Sequence, residues 1–248
     1  MTHQKFTSIR TGKLFFFEVI FLCIIFAFTS TDSEAQIRKV QNIPKYDKQR
    51  IHFGFALGFT SPNFRLNPDE NFRTMDSVYN VESQPQLGFL LGIVSNLRLA
   101  NYFDLRFVPM LTFAQRDLLY TFSPNGNIPP TVKKVESTFL DFPLMLKYKS
   151  ARVNNYRAYV LAGGKYSVDL VSQANVEESD KQPVRLQPYD YGYEIGFGFD
   201  FYLMYFKFAI EIKMYNGINN LLIKDDFIYS RSLESLNSKI FYISLLFE

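Results

Sequence analysis

Few residues of this chain have the types and spacing that catalysis requires. Its two histidines are His3 and His52, and its one cysteine is Cys23. A serine hydrolase needs a base within hydrogen-bond reach of the nucleophilic hydroxyl, and no spacing in the sequence pairs a serine with His52. A lone histidine also falls short of the three or four protein ligands of a usual zinc site. We therefore predict a structural role for His52, no catalytic residue, no metal site and no cofactor.

Two further patterns resemble ligand sites but lack essential residues. Residues 162–166 read Ala-Gly-Gly-Lys-Tyr, yet a phosphate-binding loop needs a glycine where Tyr159 stands and a serine or threonine where Tyr166 stands. The acidic residues of segments 69–82 and 177–180 lack the Asp and Gly spacing of a calcium-binding EF-hand. We interpret the first pattern as part of a β-strand and the second as solvated loop charge.

The charge balance argues against a nucleic-acid partner. The formal net charge is +3 at pH 7, whereas proteins that bind nucleic acid carry a strong and clustered basic patch. The basic residues do cluster once, in segment 36–50, where Pro44 breaks any regular element. We interpret this segment as a periplasmic basic leader that binds a partner, through Arg38, Lys39, Lys45, Lys48 and Arg50.

Residues 1–35 have the organisation of a secretory signal peptide. Lys5, Arg10 and Lys13 precede an apolar run over 14–28, and Ser33-Glu34-Ala35 offers small residues for cleavage. A retained membrane anchor is the alternative, but the run is shorter than the roughly 20 apolar residues of a spanning helix. Because Cys23 lies within this segment, the mature chain would contain no cysteine and hence no disulfide.

After position 50 the apolar residues recur at every second position, which is the period of a β-strand. One face of each run is apolar, while the other carries small or charged residues. Because Pro109 lacks a backbone N–H, we expect a β-bulge in the third run. The eight runs are 51–59, 86–94, 103–113, 140–148, 156–166, 189–201, 206–215 and 241–247.

Alternation alone also fits a soluble β-sandwich. The choice between a sandwich and a membrane barrel therefore depends on the residues of the less apolar face. That face carries charges of both signs, which a narrow barrel interior accepts when they are paired. Seven glycines on the same face, including Gly54 and Gly88, would relieve crowding inside the barrel or leave a cavity for one small ligand. The predicted lumen charge network consists of Asp104, Arg106, Asp141, Lys147, Glu194, Asp200, Lys207, Glu211 and Lys213.

The connections between runs alternate in length. Segments 60–85, 116–135, 167–188 and 216–237 are long and the intervening ones short, as in outer-membrane barrels with long external loops and short periplasmic turns. Tyrosines near run ends fit an interfacial girdle, namely Tyr102, Tyr148, Tyr156, Tyr189 and Tyr202. We predict an all-β, eight-stranded antiparallel up-and-down transmembrane β-barrel over 51–248, in contact with outer-membrane lipid and with both termini periplasmic.

Three stretches carry a family resemblance. Residues 39–58, from Lys39-Val40-Gln41 to Ala56-Leu57-Gly58, closely resemble the start of the mature PorT/SprT family. Residues 138–144 and 159–164 are similar to recurrent strands of the wider PorT-like barrels. The resemblance implies a Bacteroidota outer-membrane protein required for type IX secretion, which exports proteins with C-terminal signal domains, and for gliding where that occurs.

The resemblance favours a non-enzymatic barrel component or assembly factor of that machinery, bound to other secretion components. Two alternatives come from different classes of protein. One is a structural or small-solute barrel without a secretion role. The other is a lipid-modifying enzyme, which would require a serine beside His52.

Overall fold

The computed structural model describes residues 41–68, 78–122, 129–171, 184–224 and 228–248. The expected signal peptide lies outside these ranges, as do Arg38 and Lys39. A short 3-10 helix over Tyr46–Lys48 precedes the strands, and helix α1 spans Ile228–Arg231. The strands are β1 (Ile51–Pro68), β2 (Asn80–Pro85), β3 (Gly88–Arg98), β4 (Phe103–Phe107), β5 (Met110–Thr121), β6 (Thr131–Lys149), β7 (Tyr156–Asp169), β8 (Tyr189–Tyr202), β9 (Lys207–Gly217) and β10 (Leu233–Phe247).

The strands form one antiparallel sheet that closes on itself. β1 pairs with β10 along one edge and with β3 along the other, and strands β6 to β10 each pair with the next. β2 and β3 are two parts of one barrel strand, separated by Gln86 and Leu87, and β4 and β5 are likewise separated by Val108 and Pro109. The ten segments therefore make eight barrel strands in up-and-down order, which confirms the predicted fold class.

The bulge predicted at Pro109 is wrong. Phe107 pairs with Leu144 and Met110 pairs with Asp141, so both strands advance by three positions across the break. The carbonyl of Pro109 still accepts a hydrogen bond from the Ile93 N–H at 3.0 Å. The proline removes a donor without adding a residue, and the register is unchanged.

The two faces of the barrel wall differ sharply. On β8, alternate side chains from Tyr189 to Phe199 are about half exposed, while Asp190, Glu194 and Asp200 on the opposite face are buried. The same apolar band continues around the ring, with Phe53 of β1 69% exposed. Apolar surface of this extent is stable in hydrocarbon, where a closed ring also satisfies every strand edge.

The predicted tyrosine girdle holds for four of its five members. Tyr102, Tyr148, Tyr156 and Tyr189 are each about half exposed on the outer surface. Tyr202 was wrongly assigned, because its side chain is only 2% exposed and turns inward. Its hydroxyl is held there by the carboxylate of Asp47, to which it donates at 3.0 Å.

Parts of the segments predicted as long loops are strand instead. β1 runs to Pro68 and β5 to Thr121, well beyond the apolar band. One cluster of buried apolar side chains, which includes Leu90 and Tyr242, lies within the band. The extended strands enclose a second apolar cluster, which includes Phe64, Leu118 and Tyr120. Burial of these side chains stabilises the strand extensions outside the membrane. The connections at the other end are short, as expected.

Two adjacent glycines of β7 supply a matched test of the barrel wall. A Cβ at inward-facing Gly163 would collide with the Leu144 carbonyl of β6, whereas a Cβ at Gly164 would meet no atom closer than 3.9 Å, the oxygen of Gly192. We expect Gly163→Ala to lower the free energy of unfolding by about 1–3 kcal/mol, the usual cost of overpacking. Gly164→Ala should stay within about 0.5 kcal/mol of the unsubstituted protein. Urea titrations followed by the mobility of the folded band on gels compare the two, and equal stability would contradict the packing.

Candidate functional site: the barrel interior and the leader dock

The barrel interior is filled by charged side chains paired across strands. All nine residues of the predicted lumen charge network are at most 3% exposed. The Arg106 guanidinium pairs with Glu211 and, at 2.9 Å, with Glu248. Lys147 lies 3.0 Å from Asp200, and Lys213 lies 2.9 Å from Glu194. Each of these nine charges has a partner of opposite sign, so their burial is tolerated.

The structure adds partners that sequence reasoning missed. Lys149 lies 2.6 Å from Asp104, and Lys165 lies 3.4 Å from Asp141. Lys149 is the first charge past the predicted end of its run, and Lys165 lies in the run with the least clear alternation. The other missed partner is Glu248, the acid that joins Lys207 to Arg106.

Tyrosines fill the space between these ion pairs. The Tyr159 hydroxyl donates to Glu211 at 2.8 Å, and the Lys147 ammonium lies 3.4 Å from the centre of the Tyr159 ring. Lys165 donates to the Tyr242 hydroxyl. Aromatic rings and paired charges thus pack against each other in the barrel interior.

The short-turn end of the barrel is covered by the described part of the leader, residues 41–50. Here the Asp47 carboxylate accepts hydrogen bonds from Arg157 at 2.9 Å, Arg152 at 3.3 Å and Tyr202 at 3.0 Å. The backbone carbonyl of Asp47 accepts another from Arg98. We call these four residues with Asp47 the Asp47 clamp.

Residues on either side of Asp47 fix the leader further. The Tyr46 ring stacks on the His52 ring with centroids 4.0 Å apart, and its hydroxyl donates to Glu248 at 3.0 Å. The Asn42 backbone N–H donates to the Asn155 side chain at 2.8 Å. The imidazole of His52 therefore supports the leader from within the first strand.

The electrostatics of the leader follow from these contacts. Burial alone would raise the pKa of Asp47, but the guanidiniums of Arg157 and Arg152 and the Tyr202 hydroxyl lower it below its usual value. Burial and the neighbouring Glu248 carboxylate raise the pKa of Tyr46, so its hydroxyl keeps its proton and donates. The lowered pKa of Asp47 favours the docked leader at neutral pH.

The basic leader residues point away from this dock. Lys45, Lys48 and Arg50 are exposed at the end of the barrel, whereas the predicted partner residues Arg38 and Lys39 lie outside the described part. No role was predicted for Asp47, an acidic residue within this basic segment. A usable signal was present, since Arg98, Arg152 and Arg157 all stand beside short connections at the same end of the predicted barrel.

The described ranges contain neither a helix long and apolar enough to cross a membrane nor a cluster of potential metal ligands.

Comparisons with known proteins place the chain among outer-membrane barrels. The sequence profile of the family described as "outer membrane protein beta-barrel domain" matches residues 34–222. A comparison with curated proteins finds no match.

Among solved structures, OprG from Pseudomonas aeruginosa is 14% identical with a TM-score of 0.42, over 79% of this chain and 91% of that chain. Ail, the attachment invasion locus protein of Yersinia pestis, is 10% identical with a TM-score of 0.37, over 80% of this chain and 99% of that chain. The N-terminal barrel domain of OprF from Pseudomonas aeruginosa is 11% identical with a TM-score of 0.30, over 77% of this chain and 96% of that chain.

The family match covers more than half of the chain and most of the described strands. It agrees with the closed ring, the exposed apolar band and the paired charges inside. The band lies against membrane lipid, as in other barrels of this kind. The chain belongs to the outer membrane protein beta-barrel domain family and is a protein of the outer membrane.

Proposed function

We propose that this barrel is a non-enzymatic component or assembly factor of the type IX secretion machinery. The residues that resemble the PorT/SprT family most closely, 39–58, include the leader that docks on the barrel end. The observation that carries the proposal is this dock. Asp47 is bound by three arginines, while Lys45, Lys48 and Arg50 remain exposed. The leader therefore presents a fixed basic surface to other secretion components.

The proposal includes an orientation. Short connections of outer-membrane barrels face the periplasm, so the docked leader and both termini are periplasmic. Residues 1–35 act as a signal peptide that is removed on export, and 36–50 form the leader. A periplasmic partner with an acidic surface would be attracted over roughly 8 Å, the screening distance at physiological salt.

The two alternative functions are less compatible with the geometry. A small-solute barrel needs room inside, but Arg106 and Lys147 with their partners occupy the lumen. A lipid-modifying enzyme needs a base free to meet a hydroxyl, but the His52 ring is stacked on Tyr46. The role as a component of the secretion machinery is therefore the function that we test.

The test is deletion of the gene followed by complementation, with C-terminal-signal cargo measured in the medium. The wild-type chain should restore export, and the triple variant Lys45→Glu, Lys48→Glu, Arg50→Glu should reduce it by about tenfold or more through repulsion of the partner. The control carries Arg65→Glu and Lys134→Glu, two exposed charges beyond the apolar band at the opposite end. It should export normally.

Barrel insertion is checked in every strain by heat-modifiable gel mobility. Normal export in the deletion strain would refute the secretion role. Normal export by a correctly inserted triple variant would refute the basic surface while leaving the secretion role standing.

A further inference from the structure

The barrel wall splits on the side of the long connections. The ladder between β1 and β3 ends at the pair Thr60 and Gly88. Beyond that pair, residues 61–68 of β1 remain paired with β10, and β2 is paired with β5. We call the line between residues 61–68 and β2 the seam.

A one-residue bulge lies at the start of the split. Pro85 pairs with Arg116 and Phe89 pairs with Phe113, so one strand advances four positions while the other advances three. The extra residue lies at Gln86 and Leu87. A shift of one residue reverses which face each side chain takes and which neighbour each backbone group faces.

The backbone groups on the seam can be assigned from two hydrogen bonds. Arg98 N–H donates to the Arg50 carbonyl, so even-numbered residues of β1 face the seam side. Gln86 N–H donates to the Gln115 carbonyl, so even-numbered residues of β2 face β5 and odd-numbered ones face the seam. The register of the β1–β3 ladder would need even-numbered residues from both strands, so the ladder cannot continue in that register.

Side chains close the seam in place of a ladder. Pro62 and Pro85 both fall at seam-facing positions and have no N–H to donate. The Phe64 N–H donates to the Ser83 hydroxyl of β2 at 3.2 Å and to the neighbouring Asn63 side chain at 2.8 Å. Within the described residues, this serine contact is the hydrogen bond that joins the two edges.

Among the described residues no ladder joins the two edges, so the Phe64 carbonyl and the backbone groups of Leu66 on β1, and those of Val81 and Ser83 on β2, lie outside the strand pairing. Such alternating donors and acceptors match those of another extended backbone, whereas a lipid chain has none to offer. We propose that the seam is a docking site for an extended peptide segment, which enters between β1 and β2 by β-strand addition. This inference goes beyond the proposed function and does not rest on it.

The surroundings define the chemistry of the peptide. Phe64 and Leu118 of the second apolar cluster lie on the inward side of the seam, while Arg65 and Glu82 are exposed on the outward side. A bound strand would place alternate apolar side chains inward and polar side chains outward. The segment that fits is therefore one of alternating apolar and polar residues.

The test uses the purified full chain in detergent with Cys23→Ser, and a fluorescein-labelled peptide of alternating threonine and valine. The pair Asn63→Cys and Ser83→Cys locks the seam when oxidised, since both native side chains converge on the Phe64 N–H. The control pair, Asn67→Cys and Ser235→Cys, locks strands that are already paired, where the native side chains lie 2.7 Å apart.

We expect saturable binding to the unlocked protein and about tenfold or more weaker binding to the oxidised seam lock. Reductant should restore affinity, and the oxidised control lock should bind as the unlocked protein does. The same peptide N-methylated at every second residue should not compete. Absence of binding, or equal binding with the seam locked and open, would overturn the proposal, and neither result bears on export.

Discussion

Replacing Arg106 by methionine is expected to lower the free energy of unfolding of the barrel by about 3–5 kcal/mol. The Arg106 side chain is fully buried and pairs with both Glu211 and Glu248. Methionine keeps much of the volume but leaves two carboxylates in the barrel interior without their common partner. Urea unfolding of the refolded protein, followed by the mobility of the folded band on gels, measures the difference.

The control is Arg65→Met, because Arg65 is exposed on the extended part of β1. This substitution should change stability by less than about 0.5 kcal/mol. Adding Glu211→Gln to Arg106→Met should recover part of the lost stability, since it removes one of the two carboxylates left without a partner. If Arg106→Met is as stable as Arg65→Met, the ion pairs do not hold the barrel together.

Replacing Asp47 by alanine is expected to release the leader from the barrel end. Charge-assisted hydrogen bonds contribute about 1.5–3 kcal/mol each, and Asp47 receives them from Arg152 and Arg157. A nitroxide label on Lys48→Cys, in the Cys23→Ser background, reports the release as a mobile spectral component. We expect the ratio of mobile to immobile label to rise by about tenfold or more, equivalent to roughly 1.4 kcal/mol.

Acid should produce the same release in the labelled protein that retains Asp47. The folded pKa of Asp47 is lowered, so docking is favoured above the unfolded value and is lost as the pH falls through the folded one. The pH range over which the leader is released therefore lies below about pH 4. Glu82→Ala, an exposed substitution at the other end, should leave the label immobile at neutral pH. A label that remains immobile after Asp47→Ala would show that the clamp does not hold the leader.

The wall of the barrel was predictable because its signal is local. A period of two along each run fixes which side chains face inward, and it identified the buried positions of Glu194 and Asp200 without knowledge of their partners. Charges at such positions must be paired, so the sequence could indicate a network while leaving its connections open. The predicted number of eight strands was also correct, since the breaks at Gln86 and Pro109 interrupt strands without reversing the chain direction.

The features that escaped prediction depend on distant residues meeting at the barrel ends. Asp47 is separated by 105 and 110 positions from Arg152 and Arg157, and ring closure is what brings them together. Tyr202 was assigned to the girdle because it lies near the end of a run, but it shares the inward face of β8 with Asp200, and its hydroxyl donates to Asp47. The bulge at Gln86 arises from the pairing of β2 and β3 with β5. No residue type at this position predicts it.

The paired interior has a consequence for transport. Any solute crossing this barrel would have to displace ion pairs such as Arg106–Glu211 and Lys147–Asp200 from the lumen. Such displacement would leave buried charges without their partners, which costs about 3–5 kcal/mol for each pair broken.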